Sequence, residues 1–363
     1  MHRVPGVPAR DPGYPVPMRI VVVGASGNVG TAVLRRLAAE PAVTGIVGVA
    51  RRPPGPDAGP PYDAADWESV DIAADDATTR LAGVVTGADA VVSLAWRLQP
   101  SWDRGALERI NVGGTRAVLD AVLAAGVPQL VYASSIGTYA PSPGPEQRDE
   151  SWPTTGIATS TYSRQKAAVE RILDQVDPGR LAVLRVRPGI VLQPAAAAEI
   201  ARFFLGPLVP TSLVRPALIP VLPWPRGLRG QIVHADDLAD ALVRGLLART
   251  TGGLNVATEP LVTRSLVAEL LAARPVDVPP AAVRALAGGT WRAHLQPSEP
   301  GWLDMAMQVP VLDTGKARGL GWAPARPAGE VLRDFLAALA AGRGASSPAL
   351  TPRTPVFGRR ATG

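Results

Sequence analysis

A chain of 363 residues, 47% of them hydrophobic, can bury a substantial core as one large domain or two smaller ones. It has no cysteine, which excludes disulfides, thiolate catalysis and cysteine-ligated zinc, and its three scattered histidines (His2, His234, His294) argue against a metal site. The net charge is +6, but the Pro-rich ends carry most of it and leave about +2 on the body, too little for the basic face of a nucleic-acid binder.

Residues 1–17, MHRVPGVPARDPGYPVP, hold no apolar run of the signal-peptide kind, and their prolines predict disorder. The fold is expected to begin at Met18. RIVVVGA (19–25) reads as a buried strand, NVGTAVLRRLAAE (28–40) as a helix and GIVGVAR (45–51) as a second strand. A Pro/Gly loop follows, then a short third strand at 68–73, a helix near 75–86 and a fourth strand at 89–96. One long helix is expected over 105–125, closed by Gly126-Val127-Pro128. QLVYASS (129–135) is the fifth strand, TYSRQKAAVE lies on the next helix, and LAVLRVRPGIV (181–191) is the sixth strand.

Strands alternating with helices predict a Rossmann-type, doubly wound parallel sheet over 18–192. A smaller mixed substrate-binding region is expected over 193–343, with 231–257 returning to the main sheet through a helix at 235–248 and a strand at 253–257. The tail 344–363, rich in Ser, Pro and Gly, is expected to be disordered. The apolar stretch 203–224 holds five prolines and Arg215, which argues against a membrane span. A cytoplasmic protein without membrane or nucleic-acid partners is the expectation.

VVVGASGNVG puts Gly24, Gly27 and Gly30 between the first strand and the first helix. Glycines there allow a tight turn and close approach of a pyrophosphate to a helix N-terminus with free N–H groups. The loop Gly24, Ala25, Ser26, Gly27, Asn28, Val29 and Gly30 is therefore a candidate dinucleotide cradle, although its spacing is GxxGxxG. An acid near the end of the second strand would hold a ribose 2′-hydroxyl. That strand ends instead in Arg51 and Arg52, whose guanidinium donors suit a 2′-phosphate. NADP(H) is expected over NAD(H), with Asp71 and Ile72 beside the adenine.

GASGNVG, YASS, YSRQK, RVRPG and VHADDLADAL stand in order, and in this combination the chain resembles the extended short-chain dehydrogenase/reductases, in the NAD-dependent epimerase/dehydratase group. The resemblance covers roughly 18–340. It implies that Tyr162 and Lys166 are the catalytic tyrosine and lysine, and that Ser135 is the catalytic serine. It further implies that Ser134, Leu94, Ala95 and Pro188 lie against the cofactor, and that Asn111 supports the strand and the lysine. A homodimer formed through the helices near 105–125 and 160–176 is implied as well.

Two departures matter. Ser93 stands where related enzymes often have histidine. Where nucleotide-sugar members carry an arginine before the Val-His pair, this chain reads Gly230-Gln231-Ile232, with Arg229 one step early. Residues 199–230, with Phe203, Phe204 and Trp224, suit an apolar alcohol or ketone at least as well as a sugar nucleotide. The expectation is an NAD(P)-dependent oxidoreductase that moves hydride between the nicotinamide and a carbonyl or alcohol through Ser135, Tyr162 and Lys166, with a nucleotide-sugar epimerase/dehydratase as the alternative and a non-catalytic cofactor sensor or scaffold as the second.

Tyr162 and Lys166 lie four apart and share a helix face. They are also chemically matched, because a nearby ammonium would lower the tyrosine pKa toward the range of a useful base. The chain has only two lysines, Lys166 and Lys316, among 37 basic residues, so a lysine at this spacing stands out.

Overall fold

The computed structural model describes residues 17–98, 102–204, 211–216 and 218–352. Seven strands form the main sheet: β1 (Met18–Val23), β2 (Val43–Ala50), β3 (Asp66–Ser69), β4 (Ala90–Ser93), β5 (Gln129–Ala133), β6 (Ala182–Pro188) and β7 (Gly252–Val256). All neighbours are parallel, in the order β7-β6-β5-β4-β1-β2-β3. The order reverses beside β1, so the crevice at the carboxyl ends of β1 and β4 is where such sheets bind ligands.

The strands are near-continuous apolar runs because helices cover both faces. Along β1, Ile20 and Val22 pack to one side with Leu34 and Leu37 of α1 (Asn28–Ala38). Val21 and Val23 pack to the other, with Leu81 of α2 (Ala77–Val85) and Val118 of α3 (Gly114–Ala124). The second face also takes Val169 and Leu173 of α4 (Thr161–Asp174).

Several expectations are corrected. The third strand is Asp66–Ser69 rather than 68–73, because its register ends where Ser69 meets Ala50, the last residue of β2. Val70 and Ile72 then turn into the core. The long helix expected over 105–125 is interrupted. A short helix at Arg104–Glu108 passes through a π-helical turn at Arg109–Gly113 before α3 begins. Such turns open the helical ladder and are common at functional sites.

The return of 231–257 to the main sheet is partial. Gly252–Val256 joins it as β7, but Gly230–His234 pairs with Ile190–Leu192 and Thr258–Val262 in a separate three-stranded sheet. Helix α6, with α5 taken as Ala197–Phe204 and α6 as Ala235–Leu247, lies against α1. Arg35 and Arg36 of α1 pair with Asp236 and Asp240 across that contact.

The expectation of disorder from 344 is corrected for 344–352. Leu350 is fully buried, Ser347 Oγ donates to the Ser26 carbonyl oxygen at 2.8 Å, and Ser346 Oγ donates to that of Ala58 at 3.1 Å. Arg202 of α5 donates to the carbonyl oxygens of Thr351 and Ala349. The expected disorder of 1–16 and of 353–363 falls outside the described residues. Lys316, at the surface, donates to the carbonyl oxygens of Thr251 and Gly253 beside β7.

Candidate active site

A cavity of about 680 Å³ opens at the carboxyl ends of the central strands. The loop after β1 forms one end. Gly24 holds φ +87°, and a Cβ there would sit 2.7 Å from the backbone nitrogen of Ala95, so the chain passes close only because the side chain is missing. A Cβ on Gly30 would collide with the carbonyl oxygens of Gly24 and Ala25, which keeps α1 tight under the turn. A Cβ on Gly27 would make only an ordinary 3.6 Å contact with the Gly24 carbonyl oxygen, and Gly27 ends the loop as the N-cap of α1 with no side-chain cap. The helix therefore presents free N–H groups, the arrangement that binds a pyrophosphate. These residues fit a dinucleotide on their own geometry.

Gly24, Gly27, Asn28, Val29, Gly30, Leu94, Ser134 and Pro188 line the cavity. Ala25 is buried behind the turn, and the Ser26 carbonyl is held by Ser347. Arg51 and Arg52 are exposed at the end of β2, outside the cavity wall. The Asp71 carboxylate accepts from the Ala73 amide at 3.0 Å, and Ile72 packs against Gly114.

The other end holds the Tyr-Lys helix. Ser160 caps α4 by accepting from the Ser163 amide, and α4 then carries Tyr162, Lys166 and Glu170 at steps of four along one face. The Ser135 hydroxyl lies near the Tyr162 phenol and favours its ionised form. Ser135 Oγ accepts from the Gly137 amide at 3.0 Å. Burial pushes the Tyr162 phenol up to about 12, against the opposing effect of Ser135. The expected lowering by Lys166 is absent from this balance. The lysine nitrogen sits 6.0 Å from the Tyr162 ring centre, and burial holds its own pKa well below the usual value, against the pull of Glu170.

Lys166 is almost fully buried. Its Nζ donates to the Ala133 carbonyl oxygen at 2.7 Å and to Tyr132 Oη at 3.2 Å, and it stands 3.6 Å from the centre of the Trp96 ring. Glu170 accepts from Ser134 Oγ at 2.6 Å and makes a paired contact with Arg187, 2.9 Å on each side. Ser134 thus lines the cavity while its hydroxyl serves a buried ion pair. Asn111 reaches Lys166 only at one remove. It brackets Arg97 through that residue's amide and carbonyl, at 2.8 and 2.9 Å, and donates to Gln165 at 2.9 Å.

Trp96, Trp302, Met305 and Glu199 of the wall are not singled out by the sequence reading, whereas Phe204 is. Trp96 meets Tyr162 edge-on with ring centres 5.9 Å apart, Trp302 lies 4.7 Å from Tyr162, and Phe204 meets Trp302 at 5.0 Å. Met305 and Glu199 also face the cavity. The available signals were a tryptophan directly after Ser-Leu-Ala and a single acid inside an apolar run. Among the described residues no cluster of histidines and acids could hold a metal, and no helix is long and apolar enough to cross a membrane.

The family described as NAD dependent epimerase/dehydratase matches residues 20–257. An uncharacterised protein of Mycobacterium tuberculosis, Rv2047c, is 28% identical over 325 residues, 89% of this chain and 30% of its own length. The chain therefore spans about a third of that relative. Among solved structures, the UDP-glucose 4-epimerase of Thermus thermophilus in complex with NAD is 21% identical with a TM-score of 0.63, over 89% of this chain and 99% of that one. The human epimerase family protein SDR39U1 with NADPH is 20% identical with a TM-score of 0.64, over 88% and 99%.

Proposed function

The chain belongs to the NAD dependent epimerase/dehydratase family, NAD(P)-dependent enzymes on a Rossmann-like fold, and on that premise we propose that it is an oxidoreductase using NADP(H) and acting on an apolar carbonyl or alcohol. The observation that carries this reading is the cavity wall. Apart from Tyr162 and Lys166, its only ionisable side chain among the described residues is Glu199, and no arginine lines it. A nucleotide diphosphate would need cations there. Arg229, the nearest counterpart in sequence to the arginine of nucleotide-sugar members, is turned away and donates to the Gly144 carbonyl oxygen. Trp96, Trp302, Phe203 and Phe204 supply apolar surface instead.

Bound dinucleotide supplies the hydride or accepts it. The protein's part is the proton and the charge on oxygen. In reduction, the Tyr162 phenol gives its proton to the substrate oxygen while the Ser135 hydroxyl donates a hydrogen bond to the same atom. In oxidation the proton returns to the phenolate. Lys166, deep under Tyr162 and Trp96, has a compact head that can turn from the Ala133 carbonyl toward ribose hydroxyls, a geometry an arginine fork does not share. An epimerase or dehydratase would use the same three residues and fits the family equally. A cytoplasmic homodimer through α3 and α4 belongs to the same proposal, and light scattering at micromolar concentration tests it.

The deciding experiment sets UDP- and dTDP-sugars against hydrophobic ketones, with NADPH oxidation and product analysis as readouts. NADPH consumption with a ketone and no conversion of the sugars is expected. Productive turnover of a nucleotide sugar overturns the reading.

A further inference from the structure

Among the described residues, Glu199 is the one ionisable side chain of the cavity outside the Tyr-Lys pair. The sequence Pro-Ala-Ala-Ala-Ala-Glu-Ile-Ala-Arg-Phe-Phe folds so that Glu199, Ile200, Phe203 and Phe204, spaced for one helix face, all turn into the cavity from α5. Three of the four are apolar. Phe204 packs against Trp302, which packs against Tyr162, so the face bearing the acid joins the reacting end of the cavity through continuous aromatic surface.

The carboxyl is not spoken for. Among the described residues no side chain or amide is hydrogen-bonded to it. Arg202, one turn along and the cation whose field reaches it, is engaged with the carbonyl oxygens of Thr351 and Ala349. Burial pushes the acid up to about 7, with Arg202 opposing. An acid left without a partner in apolar surroundings is costly unless something that enters the cavity satisfies it.

We infer that Glu199 is a specificity-determining residue that anchors a hydrogen-bond donor, a hydroxyl or an ammonium, on an otherwise apolar substrate. The inference rests on the assignment of this cavity as the substrate site. It narrows the substrate class to amphipathic carbonyl or alcohol compounds with a donor group apart from the reacting oxygen, and it disfavours carboxylates and phosphates, which would meet the acid with like charge.

The test uses 4-phenyl-2-butanone and its para-hydroxy, para-aminomethyl and para-carboxy derivatives. Binding is read from tryptophan fluorescence in the presence of NADP+, and turnover separately from NADPH oxidation. The wild-type protein is expected to bind the hydroxy and aminomethyl compounds about 10-fold or more tighter than the parent, the range for a hydrogen bond to a charged or polar buried group, and the carboxylate most weakly. Glu199→Leu should bring the four affinities to within about threefold of one another. The near-isosteric Glu199→Gln should keep the preference for hydroxyl and lose that for ammonium. An unchanged ranking in Glu199→Leu overturns the inference, as does a change in NADPH affinity with no change in ranking. Absence of turnover with every ketone while the binding ranking holds counts against the oxidoreductase reading and leaves the anchor standing.

Discussion

Glu170 and Arg187 are locked together 2.9 Å apart, at the base of the site and out of contact with water. The carboxylate takes both ends of the guanidinium, a hydrogen bond from Ser134, and a further ion pair from Arg185. It stands one turn beyond Lys166 on α4, so the pair ties the helix that carries Tyr162 to β6, while the Ser134 bond ties the same helix to the segment after β5 that carries Ser135.

Removing one partner of such a pair leaves the other charged and buried. Glu170→Gln is expected to lower unfolding free energy by about 3 kcal/mol or more, with urea midpoints as the measure. Burial pushes the Glu170 pKa up, but hydrogen bonding and charge from Arg187, Ser134 and Arg185 outweigh it and hold it below the ordinary value. Its contribution to stability is thus present above the ordinary glutamate range and fades as pH falls through the depressed value. The wild-type protein should therefore lose more urea resistance between pH 5 and 3 than the glutamine variant does.

Tyr162→Phe and Lys166→Arg are each expected to reduce turnover by roughly 100-fold or more, the range of general acid–base catalysis. Tyr162→Phe should leave cofactor affinity nearly intact. A phenol held at about 12 is protonated at neutral pH, so ketone reduction should run well there while alcohol oxidation rises with pH. Near-wild-type rates in either variant, or a pH-independent oxidation, would remove Tyr162 from the proton transfer.

Arg51 and Arg52 stand exposed where β2 ends, with no acid beside them in sequence. Replacing both by alanine is expected to weaken NADPH binding by about 10-fold or more, as loss of charged hydrogen bonds would, and to leave NADH binding within twofold. Titrations of both cofactors against both proteins measure this. A wild-type preference for NADH would end the assignment.

Leu350→Ala should cost about 2–3 kcal/mol, the low end for emptying a buried leucine site. A chain stopped after Arg343 should be less stable than one stopped after Pro352, since only the second keeps the Ser347 and Ser346 contacts. Equal urea midpoints for the two would mean that this segment contributes nothing.

The parallel sheet was legible because its central strands are β-branched runs such as Ile20–Val23 and Val91–Val92 that cannot sit at a surface. The glycine loop was legible because steric need for glycine is local: Gly24 and Gly30 are constrained by atoms close at hand. What escaped depended on distant partners. Asn111, within the π-helical turn, is hydrogen-bonded to Arg97 and Gln165, and nothing in the spacing of 105–125 announces this. The Ser- and Pro-rich composition of 344–352 suggested disorder, yet Ser347 meets Ser26 from the far end of the chain. Part of the cavity wall escaped for the same reason, since Trp96, Glu199 and Trp302 come from three separate stretches, whereas Phe203 and Phe204 were legible as substrate-side residues.

The use of lysine has a practical consequence for chemical labelling. Amine-reactive reagents have only two side-chain targets in the whole sequence, Lys166 and Lys316. Lys316 lies at the surface, whereas Lys166 lines the cavity and, with its pKa drawn down by burial, is the better nucleophile once a reagent small enough to enter reaches it. Peptide mapping after mild acylation thus gives one reporter on the surface and one at the floor of the site. The ratio of the two labels reads occupancy of the cavity directly, without knowledge of the substrate and without any turnover.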